Sequence, residues 1–259
     1  MDLLYVIIFF ILGTVMGSFL YVVATRLSQD KSIISPPSHC DVCNHKLAWY
    51  ELIPILSYIF LGGKCSKCHT KLPISYVLVE LISGILYSVC YHVFGLNLDL
   101  VVALIFTSTI ITIIVSDIEY MIILDEVLIF CIGSIIVVNL FRIGVVETAY
   151  SILSGIGAFL TMYLLKLLGD KIFKKESLGG GDIKLLFLFG LVLGYPMSIC
   201  SIFLATFIAF PIAIYFVIRK KDNIIPFGPF LSMSALILFI LGIKFIDIIN
   251  FIINFYKSI

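Results

Sequence analysis

From Leu3 to Ala24 the chain runs without a charged side chain, and stretches of the same kind recur to its end. A helix rises about 1.5 Å per residue, so about 20 apolar residues match the ~30 Å hydrocarbon core of a bilayer. Eight stretches are predicted as spanning helices: 3–25, 74–94, 98–116, 122–141, 148–168, 183–199, 200–218 and 230–254. The fourth is compromised by Asp125 and Glu126, which argue for a later start. The sixth and seventh are parted only by a turn near Tyr195-Pro196, so the count is seven or eight. Hydrophobic residues make up 61% of the chain and charged residues 13%. Soluble domains carry about 25% charged residues, so one water-soluble core cannot hide this much apolar surface. The expected fold class is an all-α polytopic membrane protein of about eight transmembrane helices with a small cytoplasmic loop domain. A net charge of +1 suggests no nucleic-acid partner. Met1-Asp2 leads straight into the first apolar run without a basic leader, which reads as a retained span rather than a signal peptide.

The basic residues sort the loops. Arg26, Lys31, Lys46, Lys64, Lys67 and Lys71 follow the first span. Lys166, Lys171, Lys174, Lys175 and Lys184 surround the approach to the sixth, and Arg219, Lys220 and Lys221 follow the seventh. Eight spans place these three groups on one side, with little beyond Arg142 and Lys257 on the other. The positive-inside rule makes the basic side cytoplasmic and the N-terminus external. Asp117 and Asp182 then both fall at cytoplasmic helix ends. Lys244 is expected within the last span, and the loop from Gly169 to Gly181 is polar and Gly-rich. No internal repeat emerges. Trp49 and Tyr50 read as interfacial aromatics.

The loop 26–72 holds two Cys-x2-Cys knuckles, Cys40/Cys43 and Cys65/Cys68. Each knuckle offers two sulfurs from one tight turn, and four thiolates complete a tetrahedral zinc shell. The shell is closed, so a structural metal is expected, holding together a loop with little core of its own. His39, His45 and His69 flank the cysteines as substitute ligands or, more simply, as surface groups. Cys90, Cys131 and Cys200 sit singly in apolar runs and read as small buried hydrophobes.

Two acidic motifs remain. Gly179-Gly180-Gly181-Asp182 presents a carboxyl at the start of a span, beside glycines that leave room for an extended substrate. The plainer reading is a flexible loop with Asp182 as a helix cap. Ser116–Glu126 holds Asp117, Glu119, Asp125 and Glu126 with no Lys or Arg. Intramembrane and membrane-edge carboxyls are costly and usually have a task or a partner. Two carboxyls sharing one proton can activate water for amide hydrolysis. Asp117, Glu119 or Asp125 could partner Asp182. Asp117 is preferred because it directly follows the apolar run Leu104–Val115.

With these motifs in place, the chain resembles the prepilin peptidases, or type IV leader peptidases, among the GxGD membrane aspartyl proteases. The matching residues are Gly17-Ser18-Phe19-Leu20 and Arg26-Leu27, then the cysteine loop with Trp49, Pro54–Tyr58 and Gly63-Lys64-Cys65, then Tyr76 with Leu78-Val79-Glu80. In the second half they are Asp117 with Asp125, Glu176 with Gly179–Leu185, and Ile225–Leu231. The chain departs from the family pattern at Leu124, where proline is common, at Tyr21, where asparagine is usual, and at Gly62 and Ser75, where arginines are often seen.

The resemblance implies a bifunctional enzyme of the bacterial cytoplasmic membrane. It would remove the short basic leader of prepilins or pseudopilins at the cytoplasmic face, with Asp117 and Asp182 as the catalytic pair and Gly179, Gly180 and Gly181 in the active-site loop. It would also methylate the new N-terminus from S-adenosylmethionine, through donor-binding residues that no motif identifies. Residues 1–95, with the cysteine loop at 26–72, form the methylation-associated half, and 96–259 the peptidase domain. The expected cofactors are a structural zinc on Cys40, Cys43, Cys65 and Cys68, and the methyl donor. The expected partners are prepilins and lipid. A membrane thiol–disulfide oxidoreductase using the paired knuckles is the rival reading, and it leaves the aspartates unexplained.

Overall fold

The computed structural model describes residues 2–174, 179–218, 226–247 and 250. Lys175, Glu176, Arg219–Lys221, Ile225 and Lys257 lie outside them, so the basic loop after the seventh segment does too. Packing divides the chain into two compact units, Met1–Tyr120 and Met121–Ile259.

The first unit holds α1 (Asp2–Leu27), α2 (Leu56–Phe60), α3 (Ser75–Phe94) and α4 (Leu98–Tyr120), with a 3-10 turn at Trp49–Leu52. Small residues bring α1 and α3 together. A Cβ on Gly13 would lie 2.5 Å from Ser83 O, one on Gly17 would lie 2.6 Å from Ser83 Oγ, and one on Gly84 would lie 2.8 Å from Thr14 Cγ2. This Gly-x3-Gly seam on α1 lets backbones approach where lipid offers no hydrophobic drive. Buried hydroxyls on α4 are satisfied within the helix: Thr109 Oγ1 donates to Ile105 O (3.0 Å) and Thr112 Oγ1 to Ser108 O (2.9 Å). Local bonding of this kind is what a water-free environment demands.

The second unit holds α5 (Asp125–Arg142), α6 (Gly144–Phe173), α7 (Gly180–Leu193), α8 (Tyr195–Ile218) and α9 (Gly228–Leu241). Helix α7 is its centre and packs against α5, α6, α8 and α9. A Cβ on Gly190 would sit 2.6 Å from Ser154 O, and one on Gly155 would sit 2.8 Å from Phe187 O, so α6 and α7 meet backbone to backbone.

Among the described residues, α1, α3, α4, α6 and α8 are long and apolar enough to cross a bilayer. Helices α7 and α9 have 14 residues each, about 21 Å and short of the ~30 Å required. Helix α5 carries Asp125, Glu126 and Arg142 at its ends. The structure therefore supports a multi-pass helical membrane protein with at least five spans by length and composition.

Three boundaries differ from the sequence expectation. The sixth and seventh segments part at Gly194, which takes φ +80°, not at 199/200. Pro196 then falls in the first turn of α8, where its missing N–H costs nothing. Helix α9 stops at Leu241, capped by Gly242 in the left-handed region, and helical backbone resumes at 245–247, while 248–249 and 251–254 of the expected span lie outside the described residues. Lys244 is therefore beyond the helix, in an exposed turn where its N–H donates to Asp247 Oδ2 (2.9 Å). The expected loop at 169–181 is also shorter, because α6 continues to Phe173 and α7 begins at Gly180.

Candidate functional site

The cysteine loop is built twice over. Cys40 N–H donates to His45 O (2.9 Å), Asn44 N–H to Cys40 O (2.9 Å) and Leu47 N–H to Ser38 O (3.0 Å). Cys65 N–H to Thr70 O (2.9 Å), His69 N–H to Cys65 O (3.0 Å) and Leu72 N–H to Gly63 O (2.8 Å) repeat the pattern. Each knuckle ends in an antiparallel bridge, His39 with Lys46 and Lys64 with Lys71. Asn44 and His69, at matching positions, both take positive φ (54° and 57°). The sequence contains this local repeat as Cys-x2-Cys-x2-Lys-Leu in both knuckles, at eight residues too short to stand out as an internal repeat.

The two turns bring their thiols together. Cys40 Sγ is 3.7 Å from Cys68 Sγ, Cys43 Sγ is 3.9 Å from Cys65 Sγ, and all four sulfurs lie within 4.8 Å of one another. Tetrahedral Zn–S bonds of ≈ 2.3 Å set sulfurs about 3.8 Å apart, so the cluster fits that ion. The Thr70 hydroxyl beside its sulfur, followed by the Thr70 backbone, holds the Cys68 thiol down to about 6. This favours the thiolate at Cys68, whereas Cys43, despite the His45 backbone beside it, is pushed up to about 11 by desolvation and the neighbouring thiols. The histidines stay outside the cluster. His39 Nδ1 is 2.9 Å from Pro37 O, and His45 Nε2 is 3.4 Å from the buried Glu51. Cys90 and Cys131 are fully buried and Cys200 is half-buried.

A second device ties the loop to α3. Ile55 has φ 60° and ψ −51°, and Leu56 N–H donates to Pro54 O at 2.5 Å. This is a γ-turn of the strained, positive-φ kind, unusual for a β-branched residue. Glu80, buried on α3, accepts the Ile55 N–H at 2.7 Å. The Pro54–Tyr58 and Leu78–Glu80 segments, far apart in sequence, thus meet through one carboxylate. Beside this clamp a cleft of about 1030 Å³ opens within the first unit, lined by Tyr58, Tyr76, Glu80, Glu119, Tyr120 and others.

The four candidate acids fare differently. Asp117 lies near the end of α4 and is 6% exposed, and Asp182 lies in the first turn of α7 and is 7% exposed. They belong to different compact units. Glu119 accepts a hydrogen bond from Tyr21 O–H, which also pairs with Ser75 Oγ at 2.9 Å. Asp125 is exposed and gripped by Lys184, whose Nζ stands 2.7 Å from both carboxylate oxygens. Neither the Glu119 nor the Asp125 engagement has a local signal in the sequence. Lys184 was visible two residues after Asp182, but only folding shows where it points.

Around Asp182 the glycines do separate jobs. Gly179 is the N-cap of α7, so Asp182 is the third residue of the helix rather than its cap. A Cβ on Gly181 would fall 2.8 Å from the Ile123 side chain, which seats the start of α7 against the segment leading into α5. A carboxylate in the first turn is also favoured by the helix dipole. A cavity of about 420 Å³, lined in part by Tyr163, Gly180 and Lys184, adjoins this turn.

Comparison with known proteins decides the family. One family model, the bacterial peptidase A24 N-terminal domain, matches residues 11–94, and a second, the type IV leader peptidase family, matches 104–214. The chain is 32% identical over 239 residues to the prepilin leader peptidase/N-methyltransferase of Bacillus subtilis, covering 91% of this chain and 94% of that one. The chain belongs to the type IV leader peptidase family. It is also 30% identical to the like-named protein of Vibrio cholerae, over 92% of this chain and 98% of the other. It is 34% identical to that of Myxococcus xanthus, over 72% of this chain but only 56% of the longer relative. No solved structure matches the chain. None of these relatives supports the thiol–disulfide reading.

Proposed function

We propose that this protein is an aspartyl endopeptidase of the bacterial cytoplasmic membrane that removes the basic leader of type IV prepilins or pseudopilins at the cytoplasmic face. It then methylates the amine it exposes. The observation that carries the proteolytic half is the burial of Asp117 and Asp182 at helix ends, whereas Glu119 and Asp125 are exposed. Asp117 and Asp182 act as one pair. One carboxylate takes a proton from water as that water attacks the scissile carbonyl, and the other, protonated, donates to the carbonyl oxygen. The two titrate as a unit, so neither is assigned a fixed role. Gly179 and Gly180 leave space for the extended cleavage segment, with Gly181 packed against Ile123, and the neighbouring 420 Å³ cavity adds to it. Residues 96–259 form the peptidase domain in this reading.

The sulfur spacing suits a zinc ion held by Cys40, Cys43, Cys65 and Cys68 that fixes the loop and takes no part in cleavage. Methylation belongs to residues 1–95, with Glu119 and Tyr120 at the end of α4 lining the same cleft. S-adenosylmethionine supplies the methyl group, and the 1030 Å³ cleft suits it in size and chemistry. Tyr76 and Tyr120 offer ring faces, Glu119 a carboxylate for a cationic group, and Lys31 an ammonium for the donor's own carboxylate.

Co-expression with a candidate prepilin, with the mature N-terminus read by mass spectrometry, tests both halves. Cleavage and one added methyl are expected from the parent chain. Asp117→Asn and Asp182→Asn should each leave the prepilin uncut. Processing that survives Asp117→Asn, but is lost with Glu119→Gln or Asp125→Asn, would reassign the partner.

A further inference from the structure

The cysteine loop carries an apolar face that its own packing leaves uncovered. Trp49, Leu52 and Ile53 are exposed at 77%, 45% and 38%, and Leu56, Ile59 and Phe60 at 51%, 64% and 85%. Leu56, Ile59 and Phe60 follow i, i+3, i+4 spacing along one side of α2, and Trp49 and Leu52 share one side of the 3-10 turn, with the extended Ile53 following them. Two intervening residues, Glu51 and Tyr58, face inward. Glu51 is buried and accepts the Ala48 N–H at 2.7 Å, and Tyr58 turns its ring to Gly63 and its hydroxyl to Leu72 O. The two short turns are therefore amphipathic, with polar contacts on one side and six large apolar side chains on the other.

Three ties fix the height of this face. Ile55, at the start of α2, is bonded to Glu80, which sits five residues, about 7.5 Å, inside α3. Tyr58 reaches Leu72, three residues before that helix begins. The loop itself leaves α1 at Leu27 and returns at Ser75, so both ends emerge on the same side of the bilayer. Helix α2 thus lies level with the first turns of a spanning helix, whose own Leu78, Leu81, Ile82 and Ile85 are exposed. A tryptophan–tyrosine pair, with rings 5.9 Å apart and edge to face, marks its rim. Aromatic rings of this kind prefer the headgroup boundary.

We propose that this face is seated in the lipid bilayer, at the boundary between headgroups and acyl chains, so that the cysteine loop is a membrane-resting platform rather than a free cytoplasmic domain. Interfacial helices bind lipid in this way, with an apolar side buried and polar residues facing water. Lys46, Lys64, Lys67 and Lys71 on the same loop add attraction to anionic lipid. The strained γ-turn at Ile55 then has a purpose, because it sets the angle at which α2 meets the membrane.

Trp49 is the only tryptophan in the chain, so its fluorescence reports this site alone. The full chain, with metal bound, is placed one copy per nanodisc, in lipids brominated at shallow or at deep acyl positions. Several-fold stronger quenching by the shallow bromines than by the deep ones is expected. Ile59→Ser with Phe60→Ser should weaken that quenching while the metal content stays unchanged, which shows that the loop still folds. A water-like Trp49 emission insensitive to either lipid would overturn the proposal. So would a blue-shifted emission that bromine does not touch, since protein would then be the cover, either a second copy or another part of the chain. Cleavage and methylation are not read in this experiment, so its failure leaves the proposed activity standing.

Discussion

Within residues 38–72 the only buried side chains beyond glycine are Cys40, Glu51 and Cys65, whereas α7 buries eight of its fourteen residues, mostly large and apolar. The loop is shaped by paired backbone hydrogen bonds, a carboxylate clamp and four sulfurs. Helix α7 is shaped by close packing on four neighbouring helices. One construction concentrates its stability in a few groups and the other spreads it over many contacts. The two should therefore fail in different ways, and substitutions can separate them.

The largest effect should come from the single polar group that α7 buries. Asp182→Asn keeps the shape of the side chain and removes its capacity to take a proton. Loss of a positioned acid–base group costs about 10²–10⁴-fold, so processing should fall at least that far. Metal content and the protease resistance of the cysteine loop should be unchanged. A parallel loss of metal would mean that the two regions are not separable.

The converse change is Cys65→Ser. A structural zinc in a small site binds with about 10–16 kcal/mol, far more than this loop's few buried side chains can supply. One ligand removed should open residues 38–72 to proteolysis and abolish methylation, with cleavage retained. Chelation of the parent protein should reproduce this. A milder probe is Thr70→Val, which removes the hydroxyl that helps hold Cys68 down to about 6. The Cys68 thiol should rise towards its ordinary value, so protons compete with metal at higher pH. Metal retention should then fail at a higher pH than in the parent, as read by metal analysis across a pH series.

Packing should yield smaller, distributed costs. In Gly190→Ala the new methyl meets Ser154 O at 2.6 Å and Gly155 Cα at 2.7 Å, both backbone and unable to step aside. Overpacking of this kind costs about 1–3 kcal/mol, against up to about 1 kcal/mol gained from alanine's helix propensity. Gly133→Ala on α5, with nothing within 4 Å of the new methyl, should show only the gain. Thermal unfolding in detergent distinguishes the two signs.

Much of this contrast was legible in the chain. Apolar length gave the helical membrane class, and Cys-x2-Cys spacing gave the sulfur cluster, because both signals are local and repeat along the sequence. The Glu80–Ile55 clamp was not legible, since nothing in a spanning helix says that one buried carboxylate accepts a backbone N–H from a loop 25 positions away. The turn near Tyr195-Pro196 was legible from its residues, but the 199/200 bounds fell late because hydropathy continues across Gly194, whose positive φ ends the helix. The length of α9 was overestimated for the same reason at Gly242. Choosing among the acids needed the fold as well. Asp125 and Asp117 look alike in sequence, but one meets Lys184 in solvent and the other is buried.

That last distinction leads to the smallest expected effect. Lys184 and Asp125 are 49% and 52% exposed at the side chain, with both oxygens 2.7 Å from the ammonium. Exposed pairs contribute about 0–1 kcal/mol, and salt screens them further. Lys184→Met should therefore lower stability by less than about 1 kcal/mol, with the difference shrinking at high ionic strength. Asp125→Asn should behave in the same way and leave prepilin cleavage within a few-fold of the parent. The pair joins the first turns of α5 and α7, so its work is to hold the start of α7 in place alongside the Gly181–Ile123 contact. If Asp125→Asn instead removed cleavage as completely as Asp182→Asn, while Lys184→Met left it intact, the carboxyl itself would be the reacting group. Asp117 would then be the structural acid.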